Sequence, residues 1–176
     1  MFRLPFHYVN PYDCYAGNIP MHGVYPFYHQ GDWNMPYDDM PFMEDRGQPF
    51  VMNIHRSAIR NQTFRTVVWT GKHLQLTLMS IGVGEDIGLE VHPHVDQFLR
   101  IEQGEGVVQI GDTRTQLNFV RRVSYGDVIL VPAGKWHNLT NVGPIPLKLY
   151  SIYAPPEHPS GTVHVTKADA LTAEHS

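Results

Sequence analysis

The sequence predicts an all-β fold, a single antiparallel barrel or sandwich with a metal site at one end. Three observations lead there. Residues 73–81, His73-Leu-Gln-Leu-Thr-Leu-Met-Ser-Ile81, alternate in polarity with the two-residue period of a strand. Glycine-centred turn signals recur at 82–84, 104–106, 111–112, 126–127 and 143–144, so the intervening segments are short strands. Two separated segments carry histidines at spacings that suit one ion. They are Gly88-Leu-Glu-Val-His92-Pro-His94-Val-Asp-Gln97 running on to Gly104, and Gly126 through Pro132-Ala-Gly134-Lys-Trp-His137 to Asn141.

Composition bounds the function classes. The 176 residues are 42% hydrophobic, enough for one domain with a core. A net charge of -4 gives no electrostatic case for nucleic acid or an anionic membrane. Cys14 is the single cysteine, so no internal disulfide can form, which suits a reducing compartment such as the cytoplasm. No apolar run approaches the roughly 20 residues of a membrane span. The N-terminus shows no basic region followed by an apolar stretch.

Residues 1–52 read as an arm. Prolines at 5, 11, 20, 26, 36, 41 and 49 remove backbone donors and forbid a long helix or a central strand. Six of the nine tyrosines and five of the seven methionines lie within the first 50 residues. Disordered tails are poor in aromatics, so this arm is expected to lie on its own barrel or a partner's. A short helix is expected at 53–61, with Ile54, Ala58 and Ile59 on one side. The barrel then occupies 53–165. Its strands include 64–69, 73–81 and 147–153, and Pro155-Pro156 stops the last. Residues 166–176 form a tail, with a short helix near 167–172.

Within the histidine segments, His92 and His94 share one strand face if the strand continues through them. His137 arrives from the turn at Pro132-Ala-Gly134. Converging imidazoles suit a divalent ion such as Fe, Mn, Zn or Ni. Gln97, Leu99 and Ile101 share a face, so Gln97 is expected to point inward, while Asp96 shares the parity of His92 and His94. Gln75, Tyr150 and Lys148 are candidate catalytic residues, and Glu90 has the parity to reach the pocket edge. Gly126-Asp127 is expected to make a hairpin turn, and the Asn141 amide to cap loop backbone groups.

The two segments resemble the paired motifs of the cupin superfamily. The first family motif has glycine, His-x-His, a gap of three or four, glutamate, then six residues to glycine. The second has glycine, five residues, Pro-x-Gly, two residues, histidine, three residues, asparagine. Gly126, Pro132, Gly134, His137 and Asn141 match the second throughout; His92, His94 and Gly104 match the first, and Gln97 stands where the family has glutamate, so the resemblance implies Gln97 as the fourth ligand, through its amide oxygen, with Asp96 as the alternative. Residues 53–170 resemble short single-domain prokaryotic cupins of the kind labelled mannose-6-phosphate isomerase-like.

The resemblance implies a jelly-roll barrel, a bound metal and a homodimer that would bury the arm's rings. It implies dioxygenase, isomerase or lyase work on a small oxygenated molecule such as a sugar or organic acid. Two alternatives stay open. One is a cupin that binds a small molecule without turning it over. The other is a structural, coat-type protein that assembles through the arm. No clear basic phosphate clamp is visible for a sugar-phosphate isomerase.

Overall fold

The computed structural model describes residues 45–174, which form two facing β-sheets, two short helices and their connections. The arm lies almost wholly outside the described residues. In chain order the elements are β1 (Asp45–Arg46), α1 (Ile54–Arg60), β2 (Arg65–Thr70), β3 (Gln75–Ile81), β4 (Glu90–Val91) and β5 (Asp96–Gln103). They continue as β6 (Glu105–Gly111), β7 (Phe119–Ser124), β8 (Val128–Val131), β9 (Trp136–Asn141), β10 (Leu147–Ala154), β11 (Val163–His164) and α2 (Lys167–Glu174).

One sheet has the order β1-β2-β3-β10-β5-β8, with β11 paired to β2; the other has the order β4-β9-β6-β7. Every pair is antiparallel except β1 with β2. The sheets pack through Met79, Ile81, Leu99, Ile101, Val108, Ile110, Ile129, Leu139 and Leu149, all buried. Burial of these aliphatic faces is the main stabilising force.

Burial shows which face of β3 points inward. Gln75, Thr77, Met79 and Ile81 are all buried and share one face, which looks into the barrel. Leu76 and Leu78 look outward, and α1 covers them with Ala58 and Ile54. The helix starts where Asn53 caps it, its side chain accepting from the Arg56 N–H at 2.9 Å.

Two catalytic candidates sit on this outer side. Lys148 is buried beneath α1, donating to the Asn61 carbonyl that ends the helix and to Ser80 Oγ at 2.9 Å. Burial pushes its ammonium pKa down. Tyr150 shares its face, stacks on Phe98 at 6.0 Å and packs beside Leu78. Both side chains are separated from the metal candidates by the sheet itself, because strand parity sends them to the opposite face.

One local expectation needs correction. Gly126-Asp127 makes no hairpin: β7 and β8 belong to different sheets, and the turn carries the chain between them. The turn docks on β5 instead, with the Gly126 N–H donating to the Ile101 carbonyl at 2.9 Å. Within the range expected for the barrel, β11 pairs antiparallel with β2. Residues 167–174 are helical, as the tail's sequence suggests.

Asn141 caps loop backbone as its motif position implies. It is 1% exposed, its Nδ2 lies 2.9–3.0 Å from the carbonyls of Ile81, Gly82 and Ile145, and its Oδ1 accepts from the Gly143 N–H. Asn141→Leu would leave these groups without their partner in a dry site. It should destabilise the protein by about 2–4 kcal/mol, read by urea unfolding, with metal affinity unchanged in the folded fraction.

Candidate metal centre

Register places the first two members of the site. In the β4–β9 pair, Glu90 stands directly opposite His137. Side chains directly opposite on neighbouring strands share a face and lie side by side. His92 is two residues beyond Glu90 and so keeps its side, although β4 has already ended at Val91. The turn at 132–135 closes against it: the Gly134 N–H donates to the His92 carbonyl at 2.8 Å. Gly134 has φ +79°, a left-handed conformation that glycine adopts without strain.

Glu90, His92 and His137 bring one donor atom each to within 4.8 Å of one another. Glu90 Oε1 lies 3.4 Å from His92 Nε2 and 3.3 Å from His137 Nε2. All three atoms are buried and none makes a hydrogen bond of proper geometry. Two donors each about 2.1 Å from one ion lie about 3.0–3.4 Å apart. The spacing and the missing hydrogen bonds therefore fit lone pairs converging on a common point. A divalent ion fits the donor set.

Both imidazoles are oriented for ligation by partners on the far nitrogen. His137 Nδ1 is 3.1 Å from the Lys135 carbonyl, and His92 Nδ1 is 3.0 Å from Glu157 Oε1. A carbonyl and a carboxylate can only accept, so each Nδ1 carries the proton. In the neutral rings Nε2 is left bare for a metal. Glu90 turns its other oxygen, Oε2, toward Arg65 Nη2 at 3.8 Å.

The electrostatics are those of a held anion among cations. Burial raises the Glu90 carboxyl, but the two imidazoles and the Arg65 guanidinium outweigh it and hold the pKa well below the usual range. Burial lowers His92, but the carboxylates of Glu90 and Glu157 outweigh it and raise the pKa. Burial pushes Tyr153 up to about 12 and, with Arg65, pushes His158 down to about 3. Near neutral pH the phenol keeps its proton and His158 is uncharged. In front of the cluster lies a cavity of about 530 Å³, lined by Arg65, Glu90, His92, Trp136, Glu157 and His158 among others.

The residues expected from sequence divide clearly. His92 and His137 come together. His94 does not join them: it is exposed on the turn that follows Pro93, because the strand stops before the pair. Asp96 is exposed and accepts from the Ala133 N–H at 2.8 Å, so it braces the second motif's turn. Gln97 faces inward, 3% exposed, its Nε2 donating to Ser151 Oγ at 3.2 Å and its Oε1 buried without a hydrogen-bond partner. Its neighbour across the sheet, Tyr153, sets its ring edge-on to His92, with centroids 5.5 Å apart. Gln75 is buried and fully engaged with Thr70 and the backbone of His158.

Glu90 is the candidate ligand that residue type concealed, and spacing could have found it. Two residues separate His94 from Gln97, whereas the family gap is three or four. Counted from His92 the gap is four, which puts Glu90-Val-His92 in the place of His-x-His. Glu157 and Arg65 carried no comparable signal.

Comparison with known proteins agrees with this fold. Residues 77–153 match the cupin domain family. The chain is 60% identical over 149 residues to an uncharacterized protein of Bacillus subtilis (strain 168), YrkC, covering 83% of this chain and 80% of that one. It is 36% identical over 126 residues to an uncharacterized protein of Acanthamoeba polyphaga mimivirus, covering 71% of this chain and 77% of that one. A crystal structure of a Bacillus halodurans protein superposes with a TM-score of 0.71 at 61% identity, covering 71% of this chain and 95% of that one.

Two outcomes are expected. His92→Ala or His137→Ala should weaken metal binding about a hundredfold or more, while His94→Ala should leave it within about twofold, measured by chelator competition. Metal uptake should also release a proton. The metal needs neutral His92, whose pKa is raised above 6.5, so affinity should fall as pH drops through that raised value.

Proposed function

The chain belongs to the cupin superfamily, and we propose that it is a metal-dependent enzyme, of the oxygenase type, acting on a small organic acid. The observation that carries this is the buried set of two histidines and one carboxylate beside an open cavity. Two histidines and a carboxylate with vacant positions suit non-haem iron(II). Such an ion, when bound, supplies Lewis acidity and the capacity to activate dioxygen.

The chain's own residues do the rest. Glu90, His92 and His137 would hold the ion, and the buried, unpartnered Gln97 amide oxygen would complete the set. A 2+ ion with one anionic and three neutral ligands leaves the site with a single positive charge. Arg65 and Glu157, both in the cavity wall, offset one another, so the single positive charge of the site remains, and this favours an anionic ligand over a neutral sugar. Arg65 is the one lysine or arginine among the lining residues, and it already faces Glu90. A phosphate clamp of several basic groups is therefore lacking among those residues, which counts against sugar-phosphate isomerisation. Tyr153, protonated and edge-on to His92, helps to fix the ring.

No helix among the described residues is long and apolar enough to cross a membrane. The single cysteine favours the cytoplasm, and the aromatic arm favours a homodimer. A binding-only cupin is the second reading, favoured by the neutral Gln97 where the family has glutamate.

The test loads the full chain with Fe(II), Mn(II), Ni(II) or Zn(II). Oxygen uptake is then followed with small 2-hydroxy and 2-oxo acids, and aldose–ketose exchange in parallel. Oxygen uptake with an acid and iron supports the proposal. Tight metal and acid binding without turnover for every ion would replace it with the binding-only reading. Gln97→Glu should tighten metal binding by about tenfold if its side chain ligates; unchanged affinity would remove Gln97 from the ligand set.

A further inference from the structure

We propose that Gln75 is a positioning residue for the metal centre, clamping the strap at 155–159 so that Glu157 holds His92. The inference rests on the metal-binding reading above. The strap follows β10, and Pro155, Pro156 and Pro159 supply no backbone N–H, so it cannot join the sheet as a further strand. Glu157 and His158 also lie beyond the segment that matches the cupin domain family.

Two barrel side chains hold the strap. His92 does so through Nδ1 and Glu157. Gln75 does so from the barrel interior, where it is 0% exposed. Its Nε2 donates to the His158 carbonyl at 2.8 Å and to Thr70 Oγ1 at 3.0 Å, and its Oε1 accepts from the His158 N–H at 3.0 Å. Both donors and the acceptor are used, so only one orientation of the amide satisfies them. The clamp fixes the residue directly after Glu157.

The strap reaches His92 along two routes. One is the carboxylate on Nδ1. The other is the His158 ring, edge-on to Tyr153 with centroids 5.0 Å apart, and Tyr153 in turn edge-on to His92. The Glu157 side chain is 30% exposed, and a carboxylate this open is weakly held by its own ion pair. Holding its backbone from a buried amide pre-organises it. With the clamp broken, Glu157 turns to solvent and His92 loses the partner that keeps its proton on Nδ1. Gln75 thus acts through Glu157 and does not touch the metal or its ligand.

The test is a double-mutant cycle on the full chain, read by chelator competition and by the visible spectrum of the Co(II)-loaded protein. Gln75→Met, close in length and unable to hydrogen-bond, should lower affinity roughly ten- to a hundredfold, as should Glu157→Gln. The double variant should be no weaker than the weaker single one, because both break the same support. Thermal unfolding of the metal-free proteins is the control: any packing loss from Gln75→Met should persist in the Glu157→Gln background. If Gln75→Met does not fold, Thr70→Val frees one end of the amide and should give a several-fold loss that disappears in the Glu157→Gln background.

Wild-type affinity and spectrum in a folded Gln75→Met protein, or fully additive affinity losses, would overturn the inference and leave the metal site standing. Failure of the wild-type chain to bind any ion would instead overturn the metal reading, and this inference with it.

Discussion

The antiparallel register of β4 against β9 is the constraint on which the site depends. It sets Glu90 opposite His137 on the inner face of the smaller sheet. The next inward position belongs to His92, and a backbone bond from Gly134 keeps that residue in line after the strand has ended. A one-residue slip would turn Glu90 outward and leave two imidazoles without their carboxylate. The register is held in turn by buried aliphatic positions on β6 and β9 and by the Asn141 amide at the end of β9. Packing, register and chemistry are therefore one problem in this barrel.

The barrel interior is unusual in being polar at one end and aliphatic at the other. Along β3, β10 and β5, the row Gln75, Tyr153 and Gln97 lies at the metal end, and Met79, Leu149 and Ile101 lie two rungs deeper. Burying the polar row costs free energy unless its groups are satisfied. Gln75 is satisfied by the strap, whereas Gln97 keeps a buried oxygen without a hydrogen-bond partner. Sites that break the rule of polar satisfaction are where function concentrates.

Much of the architecture was legible in the sequence. Alternation at 73–81, the glycine turns and the prolines fixed most strand positions, and Asn53 with Ile54 and Ala58 marked the first helix. The metal centre was half legible. His92 and His137 stood out because imidazoles at motif positions are rare. His94 misled because the strand ends at Val91, before the pair, and face arguments fail once a strand stops. Glu90 was concealed by being a carboxylate where histidine was sought. Gly126 misled because a tight turn signals a reversal but not which sheet receives the next strand. Lys148 and Tyr150 looked chemical, yet parity alone could not tell the barrel's inside from the side that α1 covers. Contacts such as His92 with Glu157, 65 residues apart, leave no local trace at all.

The central claim is that one ion sits between Glu90, His92 and His137. Anomalous scattering at the absorption edge of the bound metal, from crystals of the full chain, tests it most directly. The account predicts one strong peak bonded to a Glu90 oxygen and to Nε2 of both imidazoles, with His94 in solvent. A peak held by His94, or a saturated crystal with no density among the three residues, would contradict it.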